Sequence, residues 1–333
     1  MRAEVIMKIL SISIAAYNIE AYLAEILDKF LGFKDKERIE VLIVNDGSKD
    51  RTSEIAKKYA EQYPNIFKLI NKENGGWGST VNFGIENASG KYFKLLDGDD
   101  YYNVDNLSGF IGFLENCTSD MVITPYRLFN DKTLEVYPER PLREEYNIQE
   151  RFGLEKVSTL FAMHEVCFKT DLLRQSPMNI SEHCFYTDVE YVAKAMCRVA
   201  SIEAYKREIY MYRVAREGQS DSLEGRIKHY KDHLHVVNVL AELRKNYGEN
   251  SEQYRLISER LHGMIKRQCN IFLSMPSSNA VKTELMEYDK WVRYNCSDLY
   301  AETSRTMKIL RSSKFIPYSL IAKTVRLYEK RKA

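Results

Sequence analysis

The sequence predicts an α/β protein with a mostly parallel central sheet, helices on both faces of that sheet, and a helical region after it. Over the first 125 residues, short apolar runs alternate with amphipathic segments, which is typical of strands joined by helical crossovers. From residue 226 onward the apolar spacing is helical. We therefore expect a first domain at 1–225, with halves meeting near residue 125, and a helical carboxyl region at 226–333.

The elements of the first half follow one another in a regular order. The predicted strands are 9–15, 39–45, 67–70, 91–96 and 121–124, and the predicted helices are 20–31, 52–62, 79–87 and 104–114. The run 39–45 is almost continuously apolar, as expected of a strand buried on both faces. Residues 130–150 are charged and show no period, so we expect a surface excursion there. Helical patterns then cover about 226–247, 251–274 and 280–294.

Composition excludes several classes of protein. The 333 residues are 44% hydrophobic and 29% charged, as in ordinary globular proteins. Residues 305–333 hold nine Lys/Arg and one acid, while the other residues hold 40 basic and 46 acidic groups. This balance argues against a nucleic-acid partner for the protein as a whole. The six cysteines form no Cys-x-x-Cys pair, which favours a reducing cytoplasm, and no apolar run is long enough to span a membrane.

The most informative motif is Asp97-Gly98-Asp99-Asp100, which follows an apolar run at 91–96. Three acids in four residues repel one another unless a cation lies among them. Carboxylate oxygens at such a place suit Mg²⁺ or Mn²⁺, which bridge one or two carboxylates to substrate phosphates. The motif alone is also compatible with a plain acidic turn in which Gly98 supplies a positive φ angle.

Polar or glycine-rich loops follow four of the predicted strands, at 16–18, 46–48, 74–76 and 97–99. Parallel strands place their carboxyl ends on one edge of the sheet, and ligands of such sheets bind at that edge. The sequence therefore predicts a nucleotide-sized crevice there. Trp77, just after the third loop, could stack on a base or sugar or could anchor its own loop.

The order and spacing of these motifs resemble family 2 glycosyltransferases with the GT-A fold. The similarity is strongest at 12–18, 41–50, 74–82, 88–92 and 97–100, and weaker at 164–173, 186–191 and 212–220. The resemblance implies transfer of a sugar from a nucleotide donor, usually a UDP-sugar, with inversion at the anomeric carbon. It also implies a divalent cation, Mn²⁺ or Mg²⁺.

The resemblance also assigns roles to residues. It implies a nucleotide-binding set in which Asp46 bonds the base and Asp97 lies near the ribose: Ala16, Tyr17, Asn18, Asp46, Asn74, Gly75, Asp97 and Gly98. It implies that Asp99, with Asp97, holds the cation. It implies that Asp188 is the general base, whereas the residues alone favour a first-turn acid at a helix start. We place His164, Glu190 and Gln219 on the acceptor side.

The expected acceptor is a saccharide or a lipid-linked saccharide, in polysaccharide, lipopolysaccharide or glycolipid biosynthesis. The tail at 305–333 mixes basic with apolar residues, which suits an anionic membrane surface as well as it suits a solvated or packed helix. We therefore expect a cytoplasmic protein, peripheral on the inner face of the cell membrane if the tail binds lipid. The alternatives are a nucleotidyltransferase and a non-catalytic nucleotide-sugar-binding protein.

Overall fold

The computed structural model describes residues 7–146, 150–214 and 222–332. The chain divides into two compact units, Met1–Arg216 and Glu217–Ala333. Within the described residues, the strands all belong to the first unit and the second unit is helical.

The first unit alternates strands and helices, as the sequence predicts. Its strands are β1 (Leu10–Ala16), β2 (Ile39–Asp46), β3 (Phe67–Lys72), β4 (Tyr92–Asp97), β5 (Tyr101–Tyr102), β6 (Met121–Ile123), β7 (Tyr126–Asn130), β8 (Val166–Lys169), β9 (Ile202–Ala204) and β10 (Tyr210–Val214). Its α-helices are α1 (Glu20–Leu31), α2 (Thr52–Gln62), α3 (Trp77–Asn87), α4 (Val104–Asn116), α5 (Thr170–Arg174) and α6 (Thr187–Met196). Short 3-10 turns occur at Lys36–Arg38, Glu144–Tyr146, Leu154–Lys156 and Met163–Glu165.

The described strands form a seven-stranded sheet in the order β3-β2-β1-β4-β8-β6-β9 and a three-stranded sheet in the order β5-β10-β7. Strands β3, β2, β1 and β4 pair in parallel, so the predicted parallel sheet is confirmed. Strand β8 pairs antiparallel with both β4 and β6. Along the shared edge, Ala16 lies opposite Asn45, and Asp46 lies opposite Lys72. The register thus brings the four predicted loops to one edge.

A buried acid joins the central strands. Every residue of β2 is buried, which matches its apolar sequence. Its Glu40 carboxylate accepts hydrogen bonds from Ser11 Oγ on β1 at 2.5 Å and from Lys68 Nζ on β3 at 2.6 Å, and it also accepts from the backbone of Ser89. Burial alone would raise the pKa of Glu40, but these hydrogen bonds outweigh it and hold that pKa below its usual range.

Four of the seven described helices of the second unit begin at serine caps. They are α7 (Leu223–Lys228), α8 (Tyr230–Arg244), α9 (Glu252–Ser274), α10 (Asn279–Asn295), α11 (Ser297–Tyr300), α12 (Arg305–Ser312) and α13 (Tyr318–Lys332). The hydroxyls of Ser222, Ser251, Ser278 and Ser304 accept amide hydrogens from the first turns of α7, α9, α10 and α12. The single helix expected at 226–247 is instead α7 followed by α8. Among the described helices, none is both long and apolar enough to cross a membrane.

Candidate active site

The loop after β1 is fixed to the loop after β2. Asn18 adopts a left-handed backbone conformation with φ 52°. Its side-chain Oδ1 accepts from the Lys49 backbone N–H at 2.8 Å, and its own N–H donates to Ser48 Oγ at 3.1 Å. Ala16 is buried beneath this loop and Tyr17 is half exposed. Residues 16–18, the predicted wall of the base pocket, are therefore fixed by hydrogen bonds and expose one aromatic ring.

Asp46 ends β2 and is almost fully buried. Its carboxylate accepts from Lys72 Nζ at 2.7 Å, from the backbone N–H groups of Gly75 and Gly76 at 2.8 Å each, and from Asn74 Nδ2 at 3.0 Å. The charge of Asp46 is thus compensated by the chain itself. In this geometry Asp46 holds the glycine-rich loop in place, whereas the resemblance implies a direct bond from its carboxylate to the base.

Gly76 and Gly98, both at this edge of the sheet, are required for different reasons. Gly76 lies at φ 81° just before α3, in the left-handed region that glycine tolerates best. Gly98 is not at positive φ, so the positive φ expected there is wrong, although Gly98 and Asp99 do form a turn in which the Asp100 N–H donates to the Asp97 carbonyl at 3.0 Å. A Cβ at Gly98 would lie 2.6 Å from the Ala15 carbonyl oxygen and 2.8 Å from Ile19 Cδ1. Gly98 is required because the backbone of the acidic loop packs directly on the loop after β1.

Trp77 connects the acidic loop to α6. Its indole N–H donates to Asp97 Oδ1 at 2.7 Å, and its ring packs edge-on against Tyr191 of α6, with centroids 6.4 Å apart. The indole therefore anchors two parts of the site to each other. This contact spans more than 100 residues of sequence between Trp77 and Tyr191, and no local pattern could have shown it.

Asp97, Asp100 and His164 form the group best suited to hold a metal ion among the described residues. One ligand atom from each lies within 4.8 Å of the others. Asp100 is buried and accepts from Tyr210 Oη at 2.6 Å and from the Arg213 backbone N–H at 2.7 Å. Burial, and then the charges of neighbouring acids, raise the pKa of Asp100 well above its usual range.

His164 completes this group from a distant part of the chain. Its imidazole lies among the rings of Tyr126, Tyr210 and Tyr212, with centroids 4.4–5.3 Å away. Burial lowers the pKa of His164 to about 3, and the nearby charge of Lys94 acts in the same direction. The ring is therefore neutral at physiological pH, the form that binds metals. Its Nδ1 is buried without a hydrogen-bond partner among the described residues.

The donor set fits a divalent cation. Two carboxylates and a neutral imidazole are ligands that Mg²⁺ or Mn²⁺ accept, and a cation would offset the repulsion that crowds the acids. Asp99, which we expected to hold the cation with Asp97, is not part of this group. The backbone carbonyl of Asp99 accepts from Arg213 Nε, and Arg213 Nη1 donates to Asp131 at 2.8 Å. The acidic loop is thus clamped to β10.

The predicted base Asp188 and the acceptor-side candidate Glu190 lie in α6. Asp188 is exposed in the first turn of α6, a helix that begins directly after Tyr186, a left-handed residue with φ 66°. Glu190 is fully buried, pairs with Lys194 at 2.6 Å and accepts from the Ser181 N–H at 3.2 Å. The Glu190 carboxylate therefore secures the segment before α6. Of the other two acceptor-side candidates, His164 lies with Asp97 and Asp100, and Gln219 lies outside the described residues.

Fold and site together define a class: an α/β protein whose parallel strands carry, at their carboxyl edge, polar and glycine-rich loops and an acidic group able to hold a cation. Comparisons identify the family. A profile for glycosyl transferase family 2 matches residues 11–176, and the chain belongs to that family.

Three proteins illustrate what this chain is similar to. The minor teichoic acid biosynthesis protein GgaB of Bacillus subtilis is 29% identical over 219 residues, which are 63% of this chain but only 23% of GgaB. The 1–349 fragment of S. aureus TarS, solved with UDP-GlcNAc, is 18% identical with a TM-score of 0.67 over 97% of this chain and 92% of that one. The mannosyltransferase PcManGT of Pyrobaculum calidifontis, solved with GDP-Man and Mn²⁺, is 14% identical, with a TM-score of 0.52 over 96% and 87%. These structural likenesses confirm the GT-A fold.

Proposed function

We propose that this chain transfers a sugar from a UDP-sugar to a saccharide or lipid-linked acceptor, with inversion at the anomeric carbon. The observation that carries the proposal is the convergence of Asp97, Asp100 and His164 at the carboxyl end of β4, inside a family 2 domain. UDP-GlcNAc bound to the TarS fragment supports a UDP-sugar as donor. The name of GgaB supports a cell-envelope glycopolymer as product.

In this proposal, the nucleotide binds against the loop at 16–18 and the glycine-rich loop at 74–76. Tyr17 offers an exposed ring to the base. Asn74 and Gly75 line the pocket and are held there by Asp46, whose bonds to Lys72 and the loop amides prevent the loop from collapsing. Asp97 and Gly98 close the pocket on the ribose side.

A divalent cation suits the group formed by Asp97, Asp100 and His164, with Asp99 in the same loop. Bound there, it would neutralise the charge that grows on the leaving diphosphate. The protein holds this group ready through Trp77, which fixes Asp97, and through Tyr210, which donates to Asp100. A preformed site needs little rearrangement when the donor binds.

Asp188 is proposed as the general base. A base must reach the acceptor hydroxyl from the face of the sugar opposite the diphosphate, and an exposed carboxylate can do so. It would take the hydroxyl proton as the acceptor oxygen bonds to the anomeric carbon and the bond to the diphosphate breaks. The contact of Trp77 with Tyr191 supports this role, because it ties the helix that bears Asp188 to the acidic loop.

A nucleotidyltransferase is the second enzyme reading, and the lysines disfavour it. Such an enzyme needs free cations along a triphosphate. Lys72 pairs with Asp46, Lys91 Nζ donates to the carbonyls of Leu114, Glu115 and Cys117, and Lys94 Nζ is buried against backbone carbonyls of the His164 segment. All three lysines thus support the fold.

The first test is calorimetric titration of UDP, with and without Mn²⁺. We expect cation-dependent binding in the wild-type chain and a loss of that dependence in Asp99→Ala if the whole acidic loop serves the cation. The matched control is Asp105→Asn, an exposed acid at the start of α4. Absence of UDP binding under every condition would remove the UDP-donor proposal.

The second test separates an enzyme from a non-catalytic sugar-nucleotide binder. Asp188→Asn should keep UDP binding and lower turnover of the donor about 10²–10⁴-fold, the usual contribution of a positioned base. Glu182→Gln, an exposed acid just before α6, is the control and should retain activity. Tight binding without turnover in the wild-type chain would favour the binding protein.

A further inference from the structure

The carboxyl-terminal helix α13 presents one continuous apolar and basic face to solvent. Leu320, Leu327 and Tyr328 are 70%, 53% and 56% exposed. Lys323 and Arg331 are exposed on the same turns. At about 100° per residue, these five positions fall within an arc of roughly 140°. We call these five side chains the α13 face.

The opposite side of α13 accounts for its packing. Tyr318 and Ala322 are buried, and α13 contacts α9 within the second unit. The carboxylate of Glu329 lies 3.6 Å from Arg226. The helix is therefore held in place by one side only. The exposed leucines of the α13 face contribute little to this packing, so folding alone does not explain them.

The segment before α13 has the same character. Ile309 and Ile316 are exposed, the latter by 81%. The exposed basic residues there are Arg305, Lys308 and Lys314. Over residues 305–333 the sequence holds a single acid, Glu329, which is turned to Arg226. No exposed acid of this stretch offsets the basic charge.

We propose that the α13 face docks on an anionic lipid bilayer and lies in the plane of the interface. Transfer of the leucine and tyrosine side chains from water into the headgroup region is favourable in free energy, while Lys323 and Arg331 contact lipid phosphates. A soluble polyanion would satisfy the charges but not the exposed leucines. A second copy of the chain would bring like charges together. This proposal goes beyond the transferase chemistry and does not depend on the donor.

The test is co-sedimentation of the 333-residue chain with phosphatidylglycerol vesicles and with phosphatidylcholine vesicles. We expect binding to phosphatidylglycerol alone, weakened when salt is raised well above about 0.1 M. Leu320→Ser with Leu327→Ser should weaken partitioning on the order of tenfold. Lys323→Glu with Arg331→Glu should abolish the preference for anionic lipid. The matched control is Met286→Ser with Lys290→Glu on α10, an exposed pair elsewhere in the unit.

Three results would overturn the proposal. The first is no binding to phosphatidylglycerol by a chain that still binds UDP. The second is binding that the leucine variant keeps and soluble polyphosphate competes away, which would assign the face to a polyanion. The third is self-association, by light scattering, that the leucine variant abolishes. Circular dichroism of each variant checks that the helices are retained, and UDP titration reports on the donor site separately.

Discussion

Two carboxylate sites lie on the same edge of the parallel sheet, and their surroundings differ sharply. At the end of β2, Asp46 meets an ammonium group and two backbone amides that balance its charge. At the end of β4, Asp97 and Asp100 meet each other, and the pKa of Asp100 is raised by burial and by its acidic neighbours. Residue type alone therefore does not assign function; the balance of charge around it does.

The difference suggests a division of labour. A buried carboxylate whose donors all belong to the protein stabilises the local fold. At Asp100, by contrast, burial and the neighbouring acids raise the pKa despite the hydrogen bonds from Tyr210 and the Arg213 N–H, and an external cation would relieve that repulsion. Asp46 thus acts as framework for the glycine-rich loop, whereas Asp97, Asp100 and His164, here called the β4 group, are the proposed place for a cation. Substitutions at the two sites should consequently differ in what they damage.

The largest expected effect is on catalysis, from Asp97→Asn. The amide keeps the shape and can still accept from the Trp77 N–H, but it loses one negative charge of the group proposed to hold the cation. We expect kcat/KM to fall about 10²–10³-fold, as measured by release of UDP from a donor sugar. The free energy of unfolding without added cation should stay equal or rise, because one repulsive charge is gone. A variant with full activity would show that this group does not serve the cation.

The second effect is on stability, from Asp46→Asn. Each hydrogen-bond partner described above donates to its carboxylate, so an amide group there would face donors and would leave Lys72 buried without its counter-charge. We expect a loss of about 3 kcal/mol in the free energy of unfolding, by urea denaturation. Lys72→Met, which keeps the two amide bonds, should cost less. Unchanged stability together with lost UDP affinity would instead support a direct bond from Asp46 to the base.

Local signals in the sequence were sufficient for much of the fold. The apolar run of β2 marks a strand buried on both faces, and the four parallel strands then bring their terminal loops together by topology alone. The family assignment followed from those same loops and is confirmed by the profile match. The sequence therefore predicts the edge of the sheet at which a binding site is expected, namely the carboxyl ends of the parallel strands.

The membership of the cation group could not be predicted in the same way. His164 comes from a 3-10 turn before β8, a four-residue antiparallel strand with no clear pattern. It is placed by Lys94, whose buried ammonium donates to the His164 carbonyl at 2.8 Å. A lone histidine carries no signal for such a contact. Asp100 was visible in the motif, yet only its burial distinguishes it from Asp99.

The smallest expected effect comes from Trp77, which links the two sites. Trp77 begins the helix that follows the glycine-rich loop held by Asp46, and its indole N–H donates to Asp97 of the β4 group. Trp77→Phe keeps one aromatic ring on the side of Tyr191 and removes the indole N–H together with the second ring of the indole. Loss of a hydrogen-bond partner behind a metal ligand typically lowers metal affinity or activity 10–100-fold. We expect the Mn²⁺ concentration needed for half-maximal UDP release to rise about tenfold. The chain has one other tryptophan, Trp291 of α10, so Trp291→Phe is the control. If Trp77→Phe lowers the free energy of unfolding as much as it lowers the free energy of Mn²⁺ binding, the indole acts by general packing. If Mn²⁺ affinity alone falls, the indole hydrogen bond positions Asp97, and the loop that Asp46 holds in place positions Trp77.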